Sequence, residues 1–200
     1  MSRIDETLRS DRRHFLQVAL AGSSLLALGA LAVVPRLRAA ADTPTDMPGD
    51  VLLEIFGDDG RDLGAREVPR LVLTEAQWRE RLSPEAYYQM RLADTERPFT
   101  GRYWNFYARG IFRCAACATA LYDADTKFHS GTGWPSFYQP IARRNILEST
   151  DLSFGMTRIA VSCAGCNSHL GHVFNDGPQP TGLRYCMNSP ALHFVPLARA

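Results

Sequence analysis

Two Cys-x-x-Cys pairs, Cys114-Ala115-Ala116-Cys117 and Cys163-Ala164-Gly165-Cys166, stand 45 residues apart in this 200-residue chain. Each pair sets two sulfurs about a turn apart, so two facing knuckles can complete a tetrahedral site of four thiolates. Such a site has no position left for water, which makes the metal structural, and the reading is zinc. Any fold for this chain must then bring residues 114–117 against residues 163–166. Disulfides are the competing reading, and either pair alone could be a redox dithiol. Redox work needs one dithiol motif, whereas two similar knuckles are what a metal needs.

The fifth cysteine, Cys186, is left over from that count and calls for a different task. It sits in Arg184-Tyr185-Cys186-Met187-Asn188. If this is a strand, alternation puts Arg184, Cys186 and Asn188 on one face and turns Tyr185 and Met187 to the other, into packing. A guanidinium beside the sulfur favours the thiolate, and a carboxamide can fix a polar substrate group. A lone cysteine is commonly a buried hydrophobe; these polar companions argue instead for a nucleophile. Two histidines, His169 and His172, follow the second knuckle in His-Leu-Gly-His-Val-Phe. Four thiolates leave the zinc no need of them, so they are free for acid–base work, although each alone would read as a structural histidine. In Gly131-Thr132-Gly133-Trp134-Pro135-Ser136-Phe137 the glycines and proline suggest a shaped loop presenting the Trp134 indole, a residue type found more often in cores.

The rest of the chain frames these motifs. Arg12-Arg13-His14-Phe15-Leu16, a diluted apolar run to Val34, and Ala39-Ala40-Ala41 read together as a twin-arginine export signal over residues 1–41, cleaved near Ala41. An uncleaved anchor is the alternative, since Phe15 to Val34 is about one bilayer span. The implied location is periplasmic, with the twin-arginine translocase as a partner during export. Residues 42–70 read as a linker and N-terminal extension, in which Val51–Phe56 is a short strand or a stretch that docks on the domain. Thr74 and Gln77 form the ends of a capping box that opens a helix to about Leu82. Ser83-Pro84 starts a second helix, to about Leu92.

After Pro98, aromatic and β-branched runs alternate with turn residues: 110–113, 157–161, 172–174, 183–188 and 193–195. Without helical crossovers these read as one mainly antiparallel β domain. The net charge of +1 owes its sign to the first 41 residues; the remainder carries 16 basic and 18 acidic side chains. No basic field exists to attract nucleic acid.

The run from Cys114 to Pro140 and the stretch from Arg158 to Phe194, with His-Leu-Gly-His-Val-Phe-Asn-Asp-Gly-Pro and Arg-Tyr-Cys-x-Asn-Ser, resemble the R-specific methionine sulfoxide reductase family. Milder similarity, including Glu96-Arg97-Pro98-Phe99-Thr100-Gly101, extends this to about Leu71–Pro196, within a domain set at 71–197. The resemblance implies a mainly β (α+β) fold of two antiparallel sheets stapled by the zinc site, with short N-terminal helices. It implies that Cys186 attacks the sulfoxide sulfur and becomes a sulfenic acid. His172, aided by His169, would protonate the departing oxygen; Trp134, with Phe174, would wall the S-methyl group; Asn188 would orient the sulfoxide; Arg184 would favour the ionised nucleophile. Many relatives carry a resolving cysteine between the two glycines before Trp-Pro-Ser-Phe, and here that position is Thr132. An external thiol or thioredoxin-like donor must then reduce the sulfenic acid. The expected substrate is methionine-R-sulfoxide in proteins or peptides. The rival from another class is a zinc-stapled β module that only binds, which needs neither a free thiol nor its polar neighbours.

Overall fold

Short apolar runs broken by turn residues fold into strands that pair with their sequence neighbours, and the computed structural model describes them over residues 48–197. The export-signal reading of residues 1–41 and the first part of the linker lie outside the described residues. The order is β1 (Asp50–Phe56), β2 (Asp62–Pro69), α1 (Glu75–Arg81), α2 (Pro84–Arg91), β3 (Gly110–Cys114), β4 (Ala120–Asp123), β5 (Lys127–Phe128) and β6 (Ser136–Phe137). Then follow β7 (Ile146–Asp151), β8 (Arg158–Cys163), β9 (His169–Phe174), β10 (Arg184–Met187) and β11 (Leu192–Pro196). The strands β5-β6-β10-β9-β8-β7 make a six-stranded sheet and β11-β3-β4 a three-stranded one. Every pairing is antiparallel, as expected.

Aromatic side chains hold the two sheets together. Tyr122 of β4 stacks on Phe137 of β6 with ring centroids 4.4 Å apart, and Phe112 of β3 meets Phe137 at 5.1 Å. Tyr185 and Met187 of β10 join this core, and Tyr122 donates its hydroxyl hydrogen to the Met187 sulfur. The alternation expected around Cys186 therefore puts its two neighbours in the interior. Each such side chain contributes about 2 kcal/mol of burial free energy, so this core fixes which way Cys186 points.

Both helices start at the expected residues. Thr74 accepts from the N–H of Gln77 while the Gln77 side chain accepts from the N–H of Thr74; Ser83 caps α2 with Pro84 in its first turn. They bury Trp78, Tyr87 and Met90. No helix among the described residues is long and apolar enough to cross a membrane.

The segment Val51–Phe56 is both a strand and a docked element. It pairs with β2 in a hairpin that forms a third, two-stranded sheet. Buried Asn145 fastens the hairpin: its Oδ1 accepts from Glu54 N–H, and its Nδ2 donates to the carbonyls of Glu54 and Ala120, at 2.8–2.9 Å. Leu71 N–H donates to the Gly165 carbonyl inside the second knuckle. The short strands β4, β5 and β6 and the polar β2 and β7 carry too little apolar alternation to stand out in the sequence.

Candidate active site and metal centre

The two knuckles have the same geometry. Cys114 ends β3 and Cys163 ends β8. In each, the residue four positions on (Ala118, Asn167) takes a left-handed conformation and returns its N–H to the first cysteine's carbonyl. The first cysteine's N–H bonds the carbonyl of Thr119 or Ser168. The hydroxyls of Thr119 and Ser168 also lie 3.1 and 3.3 Å from the second sulfur of each pair. The four sulfurs all lie within 4.8 Å of one another, with Cys114–Cys166 at 3.7 Å and Cys117–Cys163 at 3.5 Å. A disulfide would require about 2.05 Å. Tetrahedral thiolates bound at about 2.3 Å sit about 3.8 Å apart, so this cluster is arranged to hold a metal ion. Hydrogen bonding among the thiols drives them apart electrically, holding Cys114 well above and Cys117 well below the ordinary value. Gly165 has room for nothing larger: a Cβ there would meet Thr119 Oγ1 at 2.4 Å and Cys117 Sγ at 3.2 Å.

About the second centre, β9 and β10 set Cys186 directly opposite His172 and Arg184 opposite Phe174. A small cleft of about 120 Å³ is lined by Thr95, Trp134, Arg158, Gly171, His172, Phe174, Cys186 and Asn188. Gly171 is required by close approach, since a Cβ would lie 2.1 Å from the Cys186 carbonyl oxygen. His169 is three residues from His172, which in a regular strand would send it to the opposite face. A register shift between β8 and β9, where Ser162 pairs with His169 rather than Leu170, returns it to the His172 side. The two rings sit 5.2 Å apart.

Hydrogen-bond partners define the electrostatics. His172 Nε2 lies 2.8 Å from Asp151 Oδ2, which also pairs with Arg158 at 2.7 Å. Bonds from Ser153 and His172 hold the Asp151 carboxyl well below the usual carboxylate range. Burial pulls His172 below its ordinary value, with Asp151 opposing, and takes His169, whose Nε2 is buried without a partner, down to about 4. Arg184 is held by Asp176 through two bonds of 2.8 Å and lies over the Phe174 ring at 4.3 Å.

The Arg184 expectation is modified by burial. Its charge lowers the Cys186 thiol, as do bonds with Thr132, Ser136 and Arg184 itself, but burial outweighs them and pushes the thiol up. Thr132 and Ser136 thus stand at the sulfur, and Ser130 bridges both hydroxyls at 2.8 Å. Trp134 and Phe174 are half-buried walls of the cleft. Asn188, one residue past β10, has its carboxamide turned to backbone: Oδ1 accepts from Glu96 N–H at 3.1 Å and Nδ2 donates to the Asp94 carbonyl at 3.5 Å. That engages the group expected to orient a substrate.

Sequence reading passed over Asp151, Arg158, Asp176, Gly171 and the hydroxyls around the sulfur. Single polar residues at strand ends and in loops carry no periodic signal, and neither does a lone glycine within a strand. All eleven residues singled out beforehand fall into these two clusters.

The arrangement offers a half-buried thiol, an imidazole across the strand pair and an aromatic wall. The SelR domain profile matches residues 82–196. A peptide methionine sulfoxide reductase MsrB of Thiobacillus denitrificans is 56% identical over 123 residues, covering 62% of this chain and 93% of the relative. The MsrB of Agrobacterium fabrum is 50% identical over 129 residues, covering 64% and 96%. The chloroplastic peptide methionine sulfoxide reductase B1 of Arabidopsis thaliana is 57% identical over 121 residues, covering 60% of this chain and 59% of its own length.

Proposed function

The chain belongs to the SelR-domain family, and on that premise we propose that it is a peptide-methionine sulfoxide reductase acting on the R epimer through Cys186. The observation that carries the reading is Cys186 facing His172 across β9–β10 beneath the Trp134 wall. The sulfur enters the cleft, its methyl group against Trp134 and Phe174. With Cys186 approaching the sulfur, the methyl group against Trp134 and the oxygen toward His172, the side-chain methylene is left one direction of exit, which selects one configuration at sulfur.

The reaction balances without another reactant. The Cys186 thiol and a methyl sulfoxide become a Cys186 sulfenic acid and a thioether. The sulfur–oxygen bond of the substrate breaks, a sulfur–oxygen bond forms at Cys186, and the thiol proton stays in the products. A raised thiol facing a lowered imidazole keeps both neutral at rest. His172 takes the thiol proton as attack begins, Asp151 steadying the imidazolium, and returns it to the sulfoxide oxygen. His169 sits behind His172 as a neutral neighbour. Arg184 and the Thr132 and Ser136 hydroxyls stabilise charge on the Cys186 sulfur.

All four remaining cysteines belong to the metal cluster, so the sulfenic acid is reduced by an external thiol or thioredoxin-like donor. The ion is zinc, which suits four thiolates and a closed tetrahedral site. Cys114, Cys117, Cys163 and Cys166 would hold it as a cross-link between β3 and β8; it supplies no chemistry to the cleft. The arginine pair, apolar run and small-residue site within residues 1–41 support export to the periplasm, with the twin-arginine translocase as a transient partner. Oxidised envelope proteins and peptides would then be its substrates.

The test is an assay of R- and S-methionine sulfoxide with dithiothreitol, wild type against Cys186→Ser. Activity on the R epimer alone, abolished in the variant, is expected. A wild-type protein inactive on the R epimer overturns the reading in favour of a binding module.

A further inference from the structure

The motif Glu96-Arg97-Pro98-Phe99-Thr100-Gly101 takes no part in the chemistry above, yet Glu96 touches both walls of the cleft. Its carbonyl accepts the indole Nε1–H of Trp134 at 3.0 Å, and its N–H donates to Asn188 Oδ1 at 3.1 Å. Its carboxylate Oε1 accepts the N–H of Ser189, the residue after Asn188, at 2.6 Å. Next along, Phe99 N–H donates to the carbonyl of Gly133, the residue before Trp134. One short segment thus braces the loop that presents the indole and the end of the strand that presents Cys186.

The backbone bonds would form with any residue at position 96; the side chain is what pins the segment. Glu96 is 5% exposed, and Oε2 is buried without a partner. Burying a carboxyl is unfavourable unless its bonds are needed, and burial does push this one up. An apolar side chain would fill the space at less cost. The chain has also made room for the group: a Cβ at Gly101 would lie 2.0 Å from Glu96 Oε2 and 2.3 Å from Ser189 Oγ. Without the Glu96–Ser189 bond, Trp134 and Asn188 lose their common support.

We propose that Glu96 is a positioning residue for the sulfoxide cleft, its carboxyl clamping Ser189 so that Trp134 and Asn188 stand at fixed places beside Cys186. This rests on the reductase reading. The test compares wild type, Glu96→Ala and Glu96→Gln in three measurements: KM and kcat for a methionine-R-sulfoxide peptide, tryptophan emission referenced to Trp134→Phe, and the alkylation rate of Cys186 by iodoacetamide. For Glu96→Ala we expect KM to rise tenfold or more, the Trp134 contribution to shift, and alkylation to change less than twofold. Glu96→Gln, which keeps an acceptor for Ser189, is expected to restore KM to within about threefold. A folded, metal-loaded Glu96→Ala protein with unchanged KM overturns the proposal. If that variant does not fold, Gly101→Ala, which drives a methyl into the same carboxyl, takes its place under the same KM criterion. An inactive wild type would instead overturn the reductase reading, so the two failures are distinguishable.

Discussion

Cys186 and His172 are cross-strand partners in the β9–β10 pair, and His172 in turn lies 2.8 Å from Asp151 on β7. Thiol, imidazole and carboxylate therefore come from β10, β9 and β7 of one sheet, with β8 between the last two.

That arrangement sets a pH response. Burial keeps the Cys186 thiol above its ordinary value despite the cation beside it. Alkylation of the free enzyme by iodoacetamide should keep rising through pH 9, the ordinary thiol value. Arg184→Gln removes an interaction that favours the thiolate, so it should move the curve further upward. A downward move would contradict the assigned electrostatics.

Thr132→Cys should convert the enzyme to one that resolves its own sulfenic acid. Cys186 lies opposite Ser136 in the β6–β10 pair, Ser130 links the Ser136 and Thr132 hydroxyls, and Thr132 favours the Cys186 thiolate, so a sulfur at position 132 is close to Cys186. Mass spectrometry after one equivalent of sulfoxide should show a 132–186 disulfide in the variant. The parent should show a Cys186 sulfenic acid with no internal disulfide; a bridge from Cys186 to any knuckle cysteine would contradict it.

Loss of the metal cluster should unfold the protein rather than merely inactivate it. Cys114→Ser leaves an incomplete site at the junction of β3 and β8, costing about 4 kcal/mol or more. Chelator-induced loss of metal and loss of near-ultraviolet circular dichroism should coincide. Metal release with native dichroism retained would speak against a structural ion.

Asn145→Ala should release the β1–β2 hairpin. Three hydrogen bonds of a fully buried carboxamide are lost, for about 3 kcal/mol in all. Hydrogen exchange of residues 50–69 should accelerate before that of β8 and β9; uniform acceleration would contradict a docked hairpin.

Acid should destabilise the fold through His169. Its folded value, about 4, lies below the unfolded 6.5. Between those two values the unfolded chain binds the extra proton, so stability falls as pH drops from 6.5 toward 4 and is fully retained above 6.5. The whole effect is about 3 kcal/mol. The denaturant midpoint of wild type should fall relative to that of His169→Phe as pH drops from 6.5 toward 4; parallel curves would exclude this assignment.

Legibility followed the strength of the local physics. Thr74, Gln77, Ser83 and Pro84 state their helix starts in a few residues because capping is a local contact. The alternation of Tyr185 and Met187 against Cys186 was equally readable, because a strand's period is intrinsic to its backbone. Strands β2 and β7 were missed because their exposed faces are nearly all polar and their pairing depends on partners elsewhere. Glu96 was visible in a motif but had no readable role, because its three partners lie 38, 92 and 93 residues away.

By itself the sequence determined the two knuckles, the spare cysteine with its alternating companions, the absence of a resolving cysteine at Thr132, and the antiparallel β character. These rest on covalent spacing and backbone periodicity, which are properties of short stretches of chain. Tertiary structure alone decided that burial outweighs Arg184 at the Cys186 sulfur, and that a bulge turns His169 to the His172 side. It alone decided that Asn188 is bound by Glu96 and that Asp151 stands behind His172. Burial, register and the partner of a polar atom depend on segments far apart in the chain, and they acquire values only when the sheets close.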